Sequence, residues 1–129
     1  MDNASKKIFI VEDDQFLREF YQELLQEEGY LVDAAQDGET ALSKILNNEY
    51  DLILLDIMLP KKDGVQILRD LKTHPPKTPT VKIVVLTNLG QDAVIKECFN
   101  LGAEGFLIKS ALNPDQVLQE IKNFLQKAS

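Results

Sequence analysis

The stretch Ile8-Phe9-Ile10-Val11-Glu12-Asp13-Asp14 decides the fold. Four consecutive apolar residues without alternation mark a strand buried on both faces, as in a parallel sheet covered by helices. The run then stops on three acids. No Gly-rich turn follows it, which removes the main support for a dinucleotide-binding fold.

Three more apolar runs end on polar groups. Leu52–Leu55 stops at Asp56, Val81–Leu86 at Thr87, and Phe106–Ile108 at Lys109. Leu31–Ala35 supplies a fifth strand. Between the strands the apolar spacing turns helical. Phe16, Leu17, Phe20, Tyr21, Leu24 and Leu25 share a face over residues 15–28, and Gly29 ends that helix. Asp37-Gly38 opens a second helix with Ala41, Leu42, Ile45 and Leu46 inward. Asp63-Gly64-Val65-Gln66 opens a third as a capping-box variant, with Val65, Leu68 and Leu71 inward. Asn88-Leu89-Gly90-Gln91 repeats the cap pattern before Val94, Ile95, Cys98 and Leu101. Asn113-Pro114-Asp115-Gln116 opens the last, whose apolar face is Val117, Leu118, Ile121, Phe124 and Leu125.

Five strands alternating with five helices imply an α/β fold with a parallel sheet, helices on both faces and right-handed crossovers. The polar strand ends then meet in one crevice. At 129 residues the chain fits a single domain, 1–129, with its core at about 7–125. A net charge of −7 argues against direct binding to nucleic acid or to an anionic membrane. The lone cysteine, Cys98, excludes an internal disulfide framework and reads as a small residue packed inside a helix. No apolar leader and no stretch of membrane-spanning length is present, so a cytoplasmic location is expected. The only histidine, His74, lies in a Pro-rich loop and reads as solvated.

Carboxylates gathered in one crevice repel each other, so a cation or a proton must offset them. With only oxygen donors on offer, Mg²⁺ is the expected cofactor, with Glu12, Asp13 and Asp56 around it. A carboxylate facing Mg²⁺ can attack a phosphoryl group. Lys109 would neutralise charge on that group, and the Thr87 hydroxyl would hydrogen-bond one of its oxygens.

At these residues the chain resembles the receiver domain of two-component response regulators. The segments that carry the likeness are IFIVEDD, DLILLDIMLPKKDG, VVLTNLG and GAEGFLIKS, spread from about Lys7 to Leu125. The resemblance implies a flavodoxin-like fold with strand order 2-1-3-4-5. It implies that Asp56 is the phosphoacceptor, that Asp13 ligates Mg²⁺ directly and that Glu12 acts through water. The backbone carbonyl of Met58 is implied as a further ligand, and Thr87 as the switch hydroxyl. Lys109 is implied to pair with Asp56 or with the phosphoryl group, and Pro60 and Gly64 match the following loop. Asp14 matches a variable position and is assigned to the helix start.

The chain departs from the family pattern in three places. Ser110 follows Lys109 where proline with a cis bond is usual; a non-proline cis bond costs about 3 kcal/mol, so trans is expected. Phe106 occupies the aromatic switch position, often Tyr, and reads either as a switch without a hydroxyl or as core packing. Asn88 follows Thr87 where a small residue is usual, and either caps the fourth helix or narrows access to the phosphoryl group. Met58 and Leu89, two residues beyond Asp56 and Thr87, border the path of hydrolytic water in the family. Both are apolar here, so slow intrinsic loss of the phosphoryl group is expected.

The implied partners are a sensor histidine kinase or a histidine phosphotransfer protein, and an unknown downstream protein. The signal would leave through the face made by helix 4, strand 5 and helix 5, with a phosphorylation-dependent dimer as a further expectation. Glu120 replaces a basic residue that supports one such dimer mode in related regulators. The chain reads either as a stand-alone receiver or as one cut from a longer protein. It would catalyse its own phosphorylation and dephosphorylation without turning over an external substrate. Two rivals are a receiver-like binding module that is not phosphorylated and a Mg²⁺-dependent phosphohydrolase. The latter usually has a second acid where Met58 stands.

Overall fold

The computed structural model describes residues 6–88, 90–109 and 113–127. Five parallel strands lie in the order β2-β1-β3-β4-β5. They are β1 (Lys7–Val11), β2 (Leu31–Ala35), β3 (Leu52–Asp56), β4 (Lys82–Thr87) and β5 (Gly105–Ile108). The helices are α1 (Gln15–Glu27), α2 (Gly38–Asn47), α3 (Gly64–Thr73), α4 (Asp92–Asn100) and α5 (Pro114–Gln126). This is the flavodoxin-like order expected from the resemblance.

Period-two alternation along the strands splits the interior into two cores. Phe9 and Val11, Ile53 and Leu55, and Ile83 and Val85 face the core shared with Ala41, Ile67 and Cys98. Their neighbours Ile8 and Ile10, Leu52 and Leu54, and Val84 and Leu86 face the core shared with Leu25 and Ile121. Burial on both faces explains why these strands read as unbroken apolar runs. The outer strand β2 is different: Leu31 is 54% exposed.

Helix starts follow the expected chemistry at four of the five. Asp14, Asp37, Asp63 and Asn113 each accept an amide N–H from the first turn, and the last two form full capping boxes with Gln66 and Gln116. The fourth helix departs from expectation. Its N-cap is Gln91, with no side-chain cap bond, and exposed Asn88 lies outside the helix.

Two expected helical faces also shift. In α1, Leu17, Tyr21, Leu24 and Leu25 follow the i, i+4, i+7, i+8 stripe. Phe16 falls on the flank of that stripe and is 79% exposed. In α3 the stripe runs through Gly64, Ile67, Leu68 and Leu71, so Ile67 is fully buried and Val65 only half-buried.

Two glycines clamp the loop between β3 and α3. A Cβ on Gly64 would stand 2.7 Å from the Asp56 carbonyl oxygen. One on Gly38 would stand 1.6 Å from the Lys62 carbonyl oxygen. Only residues without a side chain let both helix starts approach this loop. Within it, Lys61 takes a left-handed φ of 68°. No described helix is long and apolar enough to cross a membrane.

Candidate functional site

Sheet register assembles the site at the carboxyl ends of the strands. Val11 pairs with Leu55, so Glu12, one residue on, lies beside Asp56. Thr87 pairs with Ile108, and the Lys109 amide donates to the Thr87 carbonyl at 2.9 Å. Glu12, Asp56 and Thr87 are all buried, while Asp13 faces solvent at the mouth.

Each group has defined partners. Asp56 Oδ1 accepts the Met58 amide at 3.0 Å, and Oδ2 accepts the Lys109 ammonium at 2.8 Å. Glu12 Oε2 accepts the Asp14 amide at 3.1 Å. Lys109 Nζ also lies 2.8 Å from Glu12 Oε1, but off hydrogen-bond geometry. That oxygen is therefore buried and charge-paired with Lys109, with no other donor among the described residues. Met58 turns its side chain outward, 62% exposed.

Burial pushes the Glu12 carboxyl up to about 7, with the Asp56 charge adding and the Lys109 ammonium and Asp14 amide opposing. Burial works against the Lys109 ammonium as well. Its contacts with Asp56 and Glu12 outweigh that effect and hold its pKa above the ordinary lysine value.

The donor set fits a hard divalent cation. Carboxylate oxygens of Glu12, Asp13 and Asp56 lie within 4.8 Å of one another. All are oxygen ligands, which suits Mg²⁺ better than a softer metal. The Glu12 oxygen, held among the described residues only by its ion pair with Lys109, is a group a cation or its water shell would satisfy further.

The remaining expected residues are placed less centrally. Thr87 donates its hydroxyl to Gln91 Oε1, with the Asn88 carbonyl at 3.2 Å as a further acceptor. Phe106 is 40% exposed and meets Phe99 edge-on, with centroids 6.2 Å apart. It belongs to neither core, so core packing does not explain it. Both rings line a groove of about 330 Å³ between α4 and β5. Leu89 and Ser110, with its bond to Lys109, lie outside the described residues.

Three neighbours take places at the site that the sequence does not signal. Arg18 in α1 donates to the carbonyls of Glu12 at 2.9 Å and Asp13 at 3.3 Å, holding the acidic turn. Buried Tyr21 is pushed above its ordinary pKa first by burial and then by the Glu12 charge. Gln91 takes the Thr87 hydroxyl. Helical spacing put Arg18 close to the acids, but nothing in the sequence says where its guanidinium turns.

Residues 8–122 match the model of the response regulator receiver domain, and the chain belongs to that family of two-component signalling domains. It is 34% identical over 130 residues to the transcriptional regulatory protein ResD of Bacillus subtilis, covering 100% of this chain and 52% of ResD. The chain thus spans about half the length of this and other transcriptional regulators that it matches. A receiver domain protein from Methanospirillum hungatei superposes with a TM-score of 0.84 at 31% identity, covering 93% of both chains. The receiver domain of a Pseudomonas aeruginosa sensor histidine kinase has the same fold, with a TM-score of 0.83 at 24% identity. It covers 96% of this chain and all of that one, and its structure has a magnesium ion coordinated in the active site cleft.

Proposed function

We propose that the chain is a phosphorylatable switch. It takes a phosphoryl group onto Asp56 from the phosphohistidine of a sensor kinase or a histidine phosphotransfer protein. The observation that carries this reading is the meeting of Glu12, Asp13 and Asp56 with Lys109 at the carboxyl ends of the strands. The family and the magnesium-bound relative support it.

Asp56 attacks phosphorus with a free lone pair, since each oxygen already bonded to Met58 or Lys109 keeps a second. The new O–P bond forms as the P–N bond to the histidine breaks, and the imidazole leaves with the bonding pair. Glu12, Asp13, Asp56 and the Met58 carbonyl would hold Mg²⁺, Glu12 through water. Bound there, Mg²⁺ neutralises charge on the transferred oxygens. Lys109 stays with Asp56 and pairs with the phosphoryl group. The Thr87 hydroxyl turns to a phosphoryl oxygen, and Phe106 moves inward behind it. The α4–β5–α5 face then changes shape for a downstream protein, an adjoining domain or a second copy of the chain. The switch works in the cytoplasm and does not itself contact nucleic acid.

Intact mass after incubation with acetyl phosphate and Mg²⁺ tests the assignment. Wild type gains one phosphoryl group and Asp56→Asn gains none. No adduct on wild type, or an equal adduct on the variant, overturns it.

A further inference from the structure

Gln91 stands at the N-terminal boundary of α4, where side chains commonly cap the first amides. It does not cap α4. Its side chain turns back toward β4, and Oε1 accepts both the Asn88 amide at 2.9 Å and the Thr87 hydroxyl. The chemistry orients the amide. A backbone N–H can only donate, so the atom facing Asn88 N is the carbonyl oxygen. The Thr87 hydroxyl meets that same oxygen and must donate to it. Its other acceptor, the Asn88 carbonyl at 3.2 Å, also lies on the β4–α4 connection. Thr87 is only 1% exposed, so water offers its hydroxyl little alternative.

A hydroxyl has one proton to give. Resting on the role proposed above for Thr87, we infer that Gln91 is a positioning residue that holds the Thr87 hydroxyl in the resting state. Phosphoryl oxygens must win that proton from Gln91 before the switch completes. Gln91 itself stands at the N-terminal boundary of α4. It links the hydroxyl beside the phosphorylation site to the start of the helix that borders the apolar groove. The strength of the Gln91 contact sets how far the resting state is favoured.

The test is titration with beryllofluoride, a phosphoryl mimic, in saturating Mg²⁺. Gln91→Leu keeps the size of the side chain and loses the acceptor. It should bind about fivefold tighter than wild type, the worth of one ordinary net hydrogen bond. Gln91→Glu keeps the acceptor and should bind no tighter than wild type. In a Thr87→Val background the leucine change should have no effect, because no hydroxyl is left to hold. Should leucine unfold the loop, Gln91→Met makes the same comparison. Equal affinity of wild type and Gln91→Leu, with binding still dependent on Asp56, overturns the latch and leaves the proposed function standing. So does an equal gain in both Thr87 backgrounds. No binding by wild type, or equal binding by Asp56→Asn, overturns the proposed function and the latch with it.

Discussion

Lys109 donates to Asp56 at 2.8 Å from a strand that is not a neighbour of β3, because β4 lies between them. The same ammonium faces Glu12 at the end of β1. One cation therefore spans four strands and offsets two buried carboxylates. Lys109→Met leaves those acids facing each other, and breaking a pair of this kind costs roughly 3 kcal/mol. Proton uptake by Glu12, whose carboxyl is raised to about 7, offsets part of that cost in acid. The loss should be larger at about pH 8 than at about pH 6. Urea unfolding of the metal-free variant at the two pH values measures it.

Glu12 makes Mg²⁺ binding depend on pH near neutrality. Its ordinary value of 4.5 is raised to about 7 in the fold, so the native state holds the proton more tightly than the unfolded chain. The stability this group contributes is complete below 4.5 and is lost as pH rises through about 7. Mg²⁺ must displace the same proton. Apparent Mg²⁺ affinity should fall by about tenfold per pH unit below neutrality. Glu12→Gln should flatten that dependence. Calorimetric titration across the range distinguishes the two proteins.

Gly38→Ala should damage the site from outside it. The new methyl would stand 1.6 Å from the Lys62 carbonyl oxygen, so α2 or the β3–α3 loop must move. A loss of about 3 kcal/mol is expected, at the upper end for overpacking. Chemical denaturation checks it. A fall in Mg²⁺ affinity should accompany it, because the displaced loop carries Met58, whose amide holds Asp56 Oδ1.

Met58 should make the phosphorylated state long-lived. Its exposed side chain lies two residues beyond Asp56 and has no group with which to orient water. Met58→Asn and Leu89→Glu should both lose the phosphoryl group faster than wild type. The decay of phosphorylated protein, followed by intact mass, measures this. Equal rates in all three proteins overturn it.

Much of the architecture was legible because local chemistry and long-range packing agree. Ile8–Val11 reads as buried on both faces because it is, and Asp63 and Asn113 carry the cap chemistry that their helices use. Legibility failed where two local rules competed. Phe16 fits the apolar spacing of α1 yet falls on the flank of the stripe that meets the sheet. Asn88 looks like a cap, but Gln91 takes its amide and the helix starts later.

The sequence alone determined the order of elements and the chemical types at the strand ends, because both follow from periodicity and from where apolar runs stop. Which of those groups touch was decided by tertiary structure. Strand order and register place Glu12 beside Asp56 and bring Lys109 to both, across separations of 97 and 53 residues that no local pattern encodes. The partner of Thr87 was decided there as well. A serviceable cap residue four positions away turns back to hold a hydroxyl that has almost no water to bond.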